Sequence, residues 1–90
     1  MLEIVISKQF SKDLKLAKKR GLKLQKLQGV IDALAAKQKL EDRYHDHNLT
    51  GEYKNFRECH IEPDWLLIYR IDEEILTLFL FRTGTHSDLF

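Results

Sequence analysis

Three strand-like runs packed into the second half of the chain, with two short breaks between them, limit the fold more than any other feature. They are Tyr53–His60, Trp65–Ile71 and Ile75–Arg82. The first break carries Pro63 and Asp64. Proline's fixed φ is pre-set for the second position of a tight turn, and Asp is tolerated at the third. The second break, Asp72-Glu73-Glu74, is a polar hairpin turn. Runs joined this closely pair antiparallel, as a meander. The middle run, Trp-Leu-Leu-Ile-Tyr-Arg-Ile, is almost wholly apolar, as a central strand buried on both faces must be. The first turn also draws His60, Asp64 and Trp65 to one rim of the sheet. An imidazole, a carboxylate and an indole there are a proton carrier, an anion and a stacking surface.

The first half of the chain supplies what covers this sheet. Leu2, Ile4 and Ile6 alternate with Glu3, Val5 and Ser7, the period of a short strand. Ser7 can cap a following helix, in which Phe10, Leu14 and Ala17 form the buried stripe and Gly21 ends the run. A second helix, about residues 23–37, buries Leu24, Leu27, Val30, Ile31 and Leu34. Only Gly21-Leu22 separates the two, which predicts an antiparallel helix pair. Residues 38–52 have no sustained periodicity and read as a loop, long enough to be functional, that carries His45 and His47. The order is β-α-α-β-β-β. It predicts a single α+β domain over residues 1–90: an antiparallel sheet with two antiparallel helices packed on one face.

Ninety residues suffice for one core, and a single cysteine, Cys59, excludes an internal disulfide and fits a reducing compartment. No apolar run reaches the roughly 20 residues of a membrane span, and the N-terminus lacks a basic secretory leader. A cytoplasmic protein is expected. Its charge is unevenly spread. Residues 1–40 hold ten Lys/Arg against three acids, and residues 41–90 hold five against eleven. Lys8, Lys12, Lys15 and Lys19 recur at helical spacing on one face of the first helix. That row is either a solvated face or a surface for nucleic-acid phosphates.

Three chemistries compete for the histidines. His45-x-His47 with Cys59 and His60 offers four donors of zinc type, but the spacing matches no common zinc module and strand neighbours 59 and 60 face opposite ways. Cys59 as a nucleophile fails for the same reason, since His60 cannot reach it, and a core-facing thiol is the plainer reading. Acid–base work by histidines around a bound phosphate, without metal, is the third.

Three segments bear on this choice: Asp46-His47-Asn48-Leu49 with Gly51; Phe56-Arg57-Glu58-Cys59-His60-Ile61-Glu62-Pro63-Asp64-Trp65; and Arg82-Thr83-Gly84-Thr85-His86-Ser87-Asp88-Leu89-Phe90. Together they resemble the YafQ-type branch of the RelE/ParE toxin superfamily over nearly the whole chain. The resemblance implies a RelE/ParE-like fold and a type II toxin that cleaves mRNA in the ribosomal A site, silenced by a cognate antitoxin. By position it assigns the site to His47, His60, Asp64, Trp65, Arg82, His86 and Phe90. The second histidine of His45-x-His47, and Asn48 where a proline is usual, depart from the family pattern.

The implied reaction uses the RNA's own 2′-hydroxyl as nucleophile, with a base to take its proton and an acid to protonate the leaving 5′-oxygen. It needs no metal and no cofactor. His86 is expected as the general acid. His47, His60 and Asp64 are expected on the base side, with Asp64 either orienting His60 or taking the proton itself. Arg82 would offset charge on the phosphorane. Trp65 and Phe90 would stack bases, and Arg57 would contact phosphate. The plainer readings are that Trp65 and Phe90 cover the sheet edge and that Arg82 pairs with Asp64 or Glu62. A ParE-like module that binds DNA gyrase without catalysis is the alternative function.

Overall fold

The structure, a computed structural model, describes residues 1–90. Its elements are β1 (Glu3–Ile6), α1 (Lys8–Lys19), α2 (Leu24–Ala35), β2 (His47–Asn48), β3 (Arg57–Glu62), β4 (Trp65–Asp72), β5 (Thr77–Gly84) and α3 (His86–Leu89). The sheet order is β1-β5-β4-β3-β2. The β2–β3, β3–β4 and β4–β5 pairs are antiparallel, as the short breaks require, whereas β1 runs parallel to β5. That parallel pairing follows from the long crossover through both helices.

Local chemistry sets the element ends. The Ser7 hydroxyl accepts from the Phe10 N–H at 2.9 Å and donates to the Phe81 carbonyl at 2.7 Å, so the cap of α1 is also its tie to β5. Gly21, at φ +78°, turns the chain after α1 in the left-handed region that suits glycine. Pro63 and Asp64 form the two-residue turn between β3 and β4.

Three expectations shift. The stretch read as a loop contains β2, which adds a fifth strand by pairing His47 with Glu58 and Asn48 with Arg57. Tyr53 belongs to a short 3-10 turn, and Ile75 and Leu76 to the β4–β5 turn, so β3 and β5 start later than their apolar runs. The C-terminal tail is helical. Thr85 accepts from the Asp88 N–H while the Asp88 carboxylate accepts from the Thr85 N–H, a capping box that starts α3.

Strand β4 is buried on both faces from Trp65 to Tyr69. Trp65, Leu67 and Tyr69 join Phe10, Ala17 and the stripe of α2 in the main core. Leu66 and Ile68 meet Leu89 of α3 on the opposite face. Burying a side chain of this size contributes roughly 1.5–3 kcal/mol. β4 is therefore the rigid bar on which both faces of the molecule rest.

Candidate functional site

β3 carries the centre of the site. A register shift between His60 and Glu62 adds one residue just before the turn, a bulge of the sort that re-aims a side chain at a strand end. His60 there is half-buried, with Nδ1 at 3.3 Å from the Pro63 carbonyl. His47, across on β2, has Nδ1 at 2.6 Å from the His45 carbonyl. A carbonyl can only accept, so both rings donate from Nδ1 and turn Nε2 toward the site. Both Nε2 atoms face the same carboxylate. Glu58 Oε1 lies 3.5 Å from His60 Nε2 and 3.7 Å from His47 Nε2, and the Glu58 side chain is nearly buried. Sequence reading passed over Glu58. Its signal was its parity with His60 two residues on along the same strand.

The opposite wall comes from the turn and α3. Asp64 Oδ1 accepts from the His86 backbone N–H at 3.0 Å and from His86 Nδ1 at 2.7 Å. Those two donors hold the Asp64 carboxyl below the ordinary carboxylate range. Asp64 thus orients His86, not His60 as the sequence left open. His86 donates from Nδ1 and keeps Nε2 free. The His60 and His86 ring centroids stand 5.8 Å apart, edge to face, so the two imidazoles border one small space.

α3 is itself pinned. Arg20 Nη1 meets Asp88 Oδ2 at 2.7 Å and Nη2 meets Oδ1 at 3.2 Å, which together with the Thr85 N–H drives the Asp88 carboxyl far below its usual range. A Cβ on Gly84 would sit 2.9 Å from Asp88 Oδ2, so a side chain there would displace the helix start.

Arg82 pairs with neither Asp64 nor Glu62. The buried Asp13 carboxylate of α1 takes Arg82 Nε at 2.9 Å, Arg82 Nη2 at 3.2 Å and the Thr83 N–H at 3.1 Å. This keeps the guanidinium firmly charged, and its Nη1 has no protein partner. Arg57 differs from its expected phosphate role. Its Nε and Nη2 bind Asp46 at 3.3 and 3.1 Å and its Nη1 binds Asn48 Oδ1 at 2.7 Å. Asn48, where the family pattern has proline, thereby helps Arg57 hold the histidine loop. Tyr69 adds a third tie, its hydroxyl donating to Asp46 at 2.5 Å.

The stacking role expected of Trp65 is not available to it. The ring is 2% exposed and its Nε1 donates to the Thr83 hydroxyl at 2.9 Å inside the core. Phe90 is 61% exposed and meets Tyr53 edge-on at 5.4 Å, so one broad face is open to a base. Cys59 is fully buried and its thiol is pushed up to about 12, which rules it out as a nucleophile. The donor set His45, His47, Cys59 and His60 therefore does not form. A different set does: donor atoms of Glu58, His60 and His86 lie within 4.8 Å of one another. Two imidazoles and a carboxylate suit a borderline cation such as zinc or copper. Lys8, Lys12, Lys15 and Lys19 are all exposed, and none is held in an ion pair.

Sheet, helices and converging imidazoles define a small α+β domain of RelE-like architecture. The model of the family "Bacterial toxin of type II toxin-antitoxin system, YafQ" matches residues 2–90. The chain belongs to that family. It is similar to the mRNA interferase toxin YafQ of Escherichia coli (strain K12), 43% identical over 89 residues, 98% of this chain and 95% of that one. Among solved structures it resembles a metal-bound toxin from Helicobacter pylori at 51% identity and a TM-score of 0.94, both chains covered in full. It also resembles YafQ in the E. coli DinJ–YafQ complex at 42% identity and a TM-score of 0.90, covering 100% of this chain and 99% of that one.

Proposed function

We propose that this chain, like its E. coli relative, is an mRNA interferase: an endoribonuclease that cuts message by attack of the RNA's own 2′-hydroxyl. The observation that carries the reading is the His60–His86 pair, with ring centroids 5.8 Å apart, each ring donating from Nδ1 to an oxygen, His86 with Nε2 open and His60 with Nε2 beside the Glu58 carboxylate. A phosphodiester between the rings meets a base on one side and an acid on the other. His60, with the Glu58 carboxylate 3.5 Å from its Nε2, takes the 2′-hydroxyl proton. His86 protonates the leaving 5′-oxygen, with Asp64 fixing its tautomer and supporting the imidazolium. The free Nη1 of Arg82 meets the charge that builds on the phosphorane, and Phe90 stacks a base. The products are a 2′,3′-cyclic phosphate and a 5′-hydroxyl.

Because RNA supplies the nucleophile, the step needs no metal. A cation on Glu58, His60 and His86 would take lone pairs that the proton transfers use. Chelator-treated protein should therefore cut at full rate, and added zinc or copper should slow it. A gyrase-binding module has no use for these groups, and no observation favours that alternative.

The four unpaired lysines of α1 fit a docking surface for ribosomal RNA, which puts the cut on translated message in the cytoplasm. A cognate antitoxin is the expected inhibitor, as DinJ is found with the E. coli relative. The test is transcript-end mapping with His86→Ala and His60→Ala. Each variant should fold and lose about 10²–10⁴-fold in cleavage, the usual worth of one acid or base. Wild-type cleavage by both would refute the assignment.

A further inference from the structure

The largest cavity of the molecule, about 510 Å³, is a groove that His60 lines and His86 does not, so it is separate from the space between the two. Lys26, Arg43, Tyr44 and His45 line it together with His60 and Pro63, and His86 does not. Nothing in the chemistry above uses these four residues. Its volume falls within the roughly 300–1,000 Å³ typical of small-ligand sites. Arg43 lies over the Tyr44 ring at 4.7 Å and its Nη2 reaches the Tyr44 hydroxyl at 2.8 Å, which makes a flat cationic platform. Such guanidinium and aromatic planes are what unpaired bases stack on. Lys26 is held by Glu62 at 3.1 Å and Arg43 by Glu41 at 3.4 Å, both exposed pairs. Pairs so weak yield to an incoming phosphate.

His45, the histidine beyond the family pattern, ties groove to cleft. Its backbone is left-handed, at φ +48°, and its ring stands 5.5 Å edge-on from His60 while its carbonyl accepts from His47. A non-glycine residue in that region is uncommon and marks a held conformation. His45 therefore lines the groove while standing against the one residue, His60, that groove and cleft share.

We propose that this groove is the subsite for the nucleotide on the 5′ side of the scissile bond. Its base lies on the Arg43–Tyr44 platform and its 5′-phosphate sits between Lys26 and Arg43. The proposal rests on the reaction proposed above, which fixes the direction. His60 takes the 2′-hydroxyl proton, so the attacking ribose stands at His60. The leaving nucleotide departs past His86 toward Phe90. The rest of the attacking nucleotide then continues away from His86, and the groove is the space it enters. Sequence preference at the cut should accordingly be written in the 5′ nucleotide.

The test is an NMR titration of the full chain with uncleavable 2′-deoxy dinucleotides, made with or without a 5′-phosphate and with or without the 5′ base. Signals of His60 and His86 report the cleft, and those of Tyr44 and His45 report the groove. The 5′-phosphorylated probe should shift both sets. Deleting the 5′ base should weaken binding about tenfold, the scale of one stacked base. Arg43→Ala and Lys26→Ala, exposed positions whose loss does not threaten the fold, should each remove the advantage of the 5′-phosphate. Tyr44→Ala should remove the advantage of the base. Shifts at His60 and His86 with none at Tyr44 and His45, or phosphate and base advantages that survive these variants, would overturn the subsite while leaving the cleavage reading intact. No shift at His60 or His86 with any probe would defeat both.

Discussion

Arg57 and Arg82 sit on strands of the same sheet, each beside an aspartate, and from sequence both read as phosphate ligands. The structure gives them opposite characters. Every nitrogen of Arg57 is occupied, by Asp46 and Asn48, and these bonds fasten the loop that carries His45 and His47. Arg82 is held on two nitrogens by Asp13 and keeps Nη1. The two differ in the number of donors left over once the carboxylate is satisfied, and on the proposed reaction that spare donor is what Arg82 offers the phosphate. Asp13 does for Arg82 what Asp64 does for His86. Each fixes one edge of a cationic or proton-bearing group and leaves the other edge without a protein partner.

The contrast can be broken most sharply at Arg82. Arg82→Lys keeps a cation for Asp13 but loses the planar fork. Cleavage should fall about 10²–10³-fold, the cost of removing one oxyanion-type donor, with melting little changed. Equal activity in the lysine variant would mean that Nη1 touches nothing in the transition state. Arg57→Ala should show the converse. It leaves the Asp46 carboxylate with the Tyr69 hydroxyl alone, so stability should drop by about 1–3 kcal/mol in denaturant titration. Its effect on cleavage should be smaller than that of Arg82→Lys and should come through a loosened His47.

Acid stability sharpens the same point for α3. Asp64 and Asp88 both titrate below their usual value in the folded protein, Asp64 through His86 and Asp88 chiefly through Arg20. A carboxyl depressed on folding stabilises above its unfolded pKa, about 3.9, and that contribution is lost as pH falls through the lower folded value. Stability should therefore decline below about pH 3.9. Asp88→Asn, less stable at neutral pH, should decline less steeply there. An identical acid limb in the variant would show that Asp88 does not carry the linkage. The smallest effect per residue belongs to the lysine row. Neutralising Lys8, Lys12, Lys15 and Lys19 together should weaken ribosome binding and reduce its salt slope by up to roughly 0.7–0.9 for each RNA phosphate that these lysines neutralise. Unchanged binding would make the row a solvated face.

Much of this was written locally in the chain. Ser7, Gly21 and Pro63 act on their immediate neighbours, so the caps and turn they set are visible from residue type and spacing. The largely apolar run Trp65–Ile71 identified the central strand for the same reason. Thr85-x-x-Asp88 was equally legible as a helix start, though in a stretch short enough to pass for a tail. What stayed hidden depends on partners far apart in sequence. Asp13 reaches Arg82 across 69 positions. Trp65 turns inward because Thr83, on the neighbouring strand, offers its indole a buried acceptor. Glu58 gains its place between two imidazoles only once β2 pairs with β3, and a two-residue strand has no periodicity to announce it.

The claim beneath all of this is that His60 and His86 make two proton transfers on either side of one phosphate, His60 taking one and His86 giving the other, with the RNA itself as nucleophile. The direct measurement replaces the ribose at a mapped cleavage position with 2′-deoxyribose and identifies the ends formed on the unmodified message. Cleavage should vanish at the modified position, and the unmodified message should yield a 2′,3′-cyclic phosphate and a 5′-hydroxyl. Cutting that persists without the 2′-hydroxyl, or ends of the form 3′-hydroxyl and 5′-phosphate, would contradict the account.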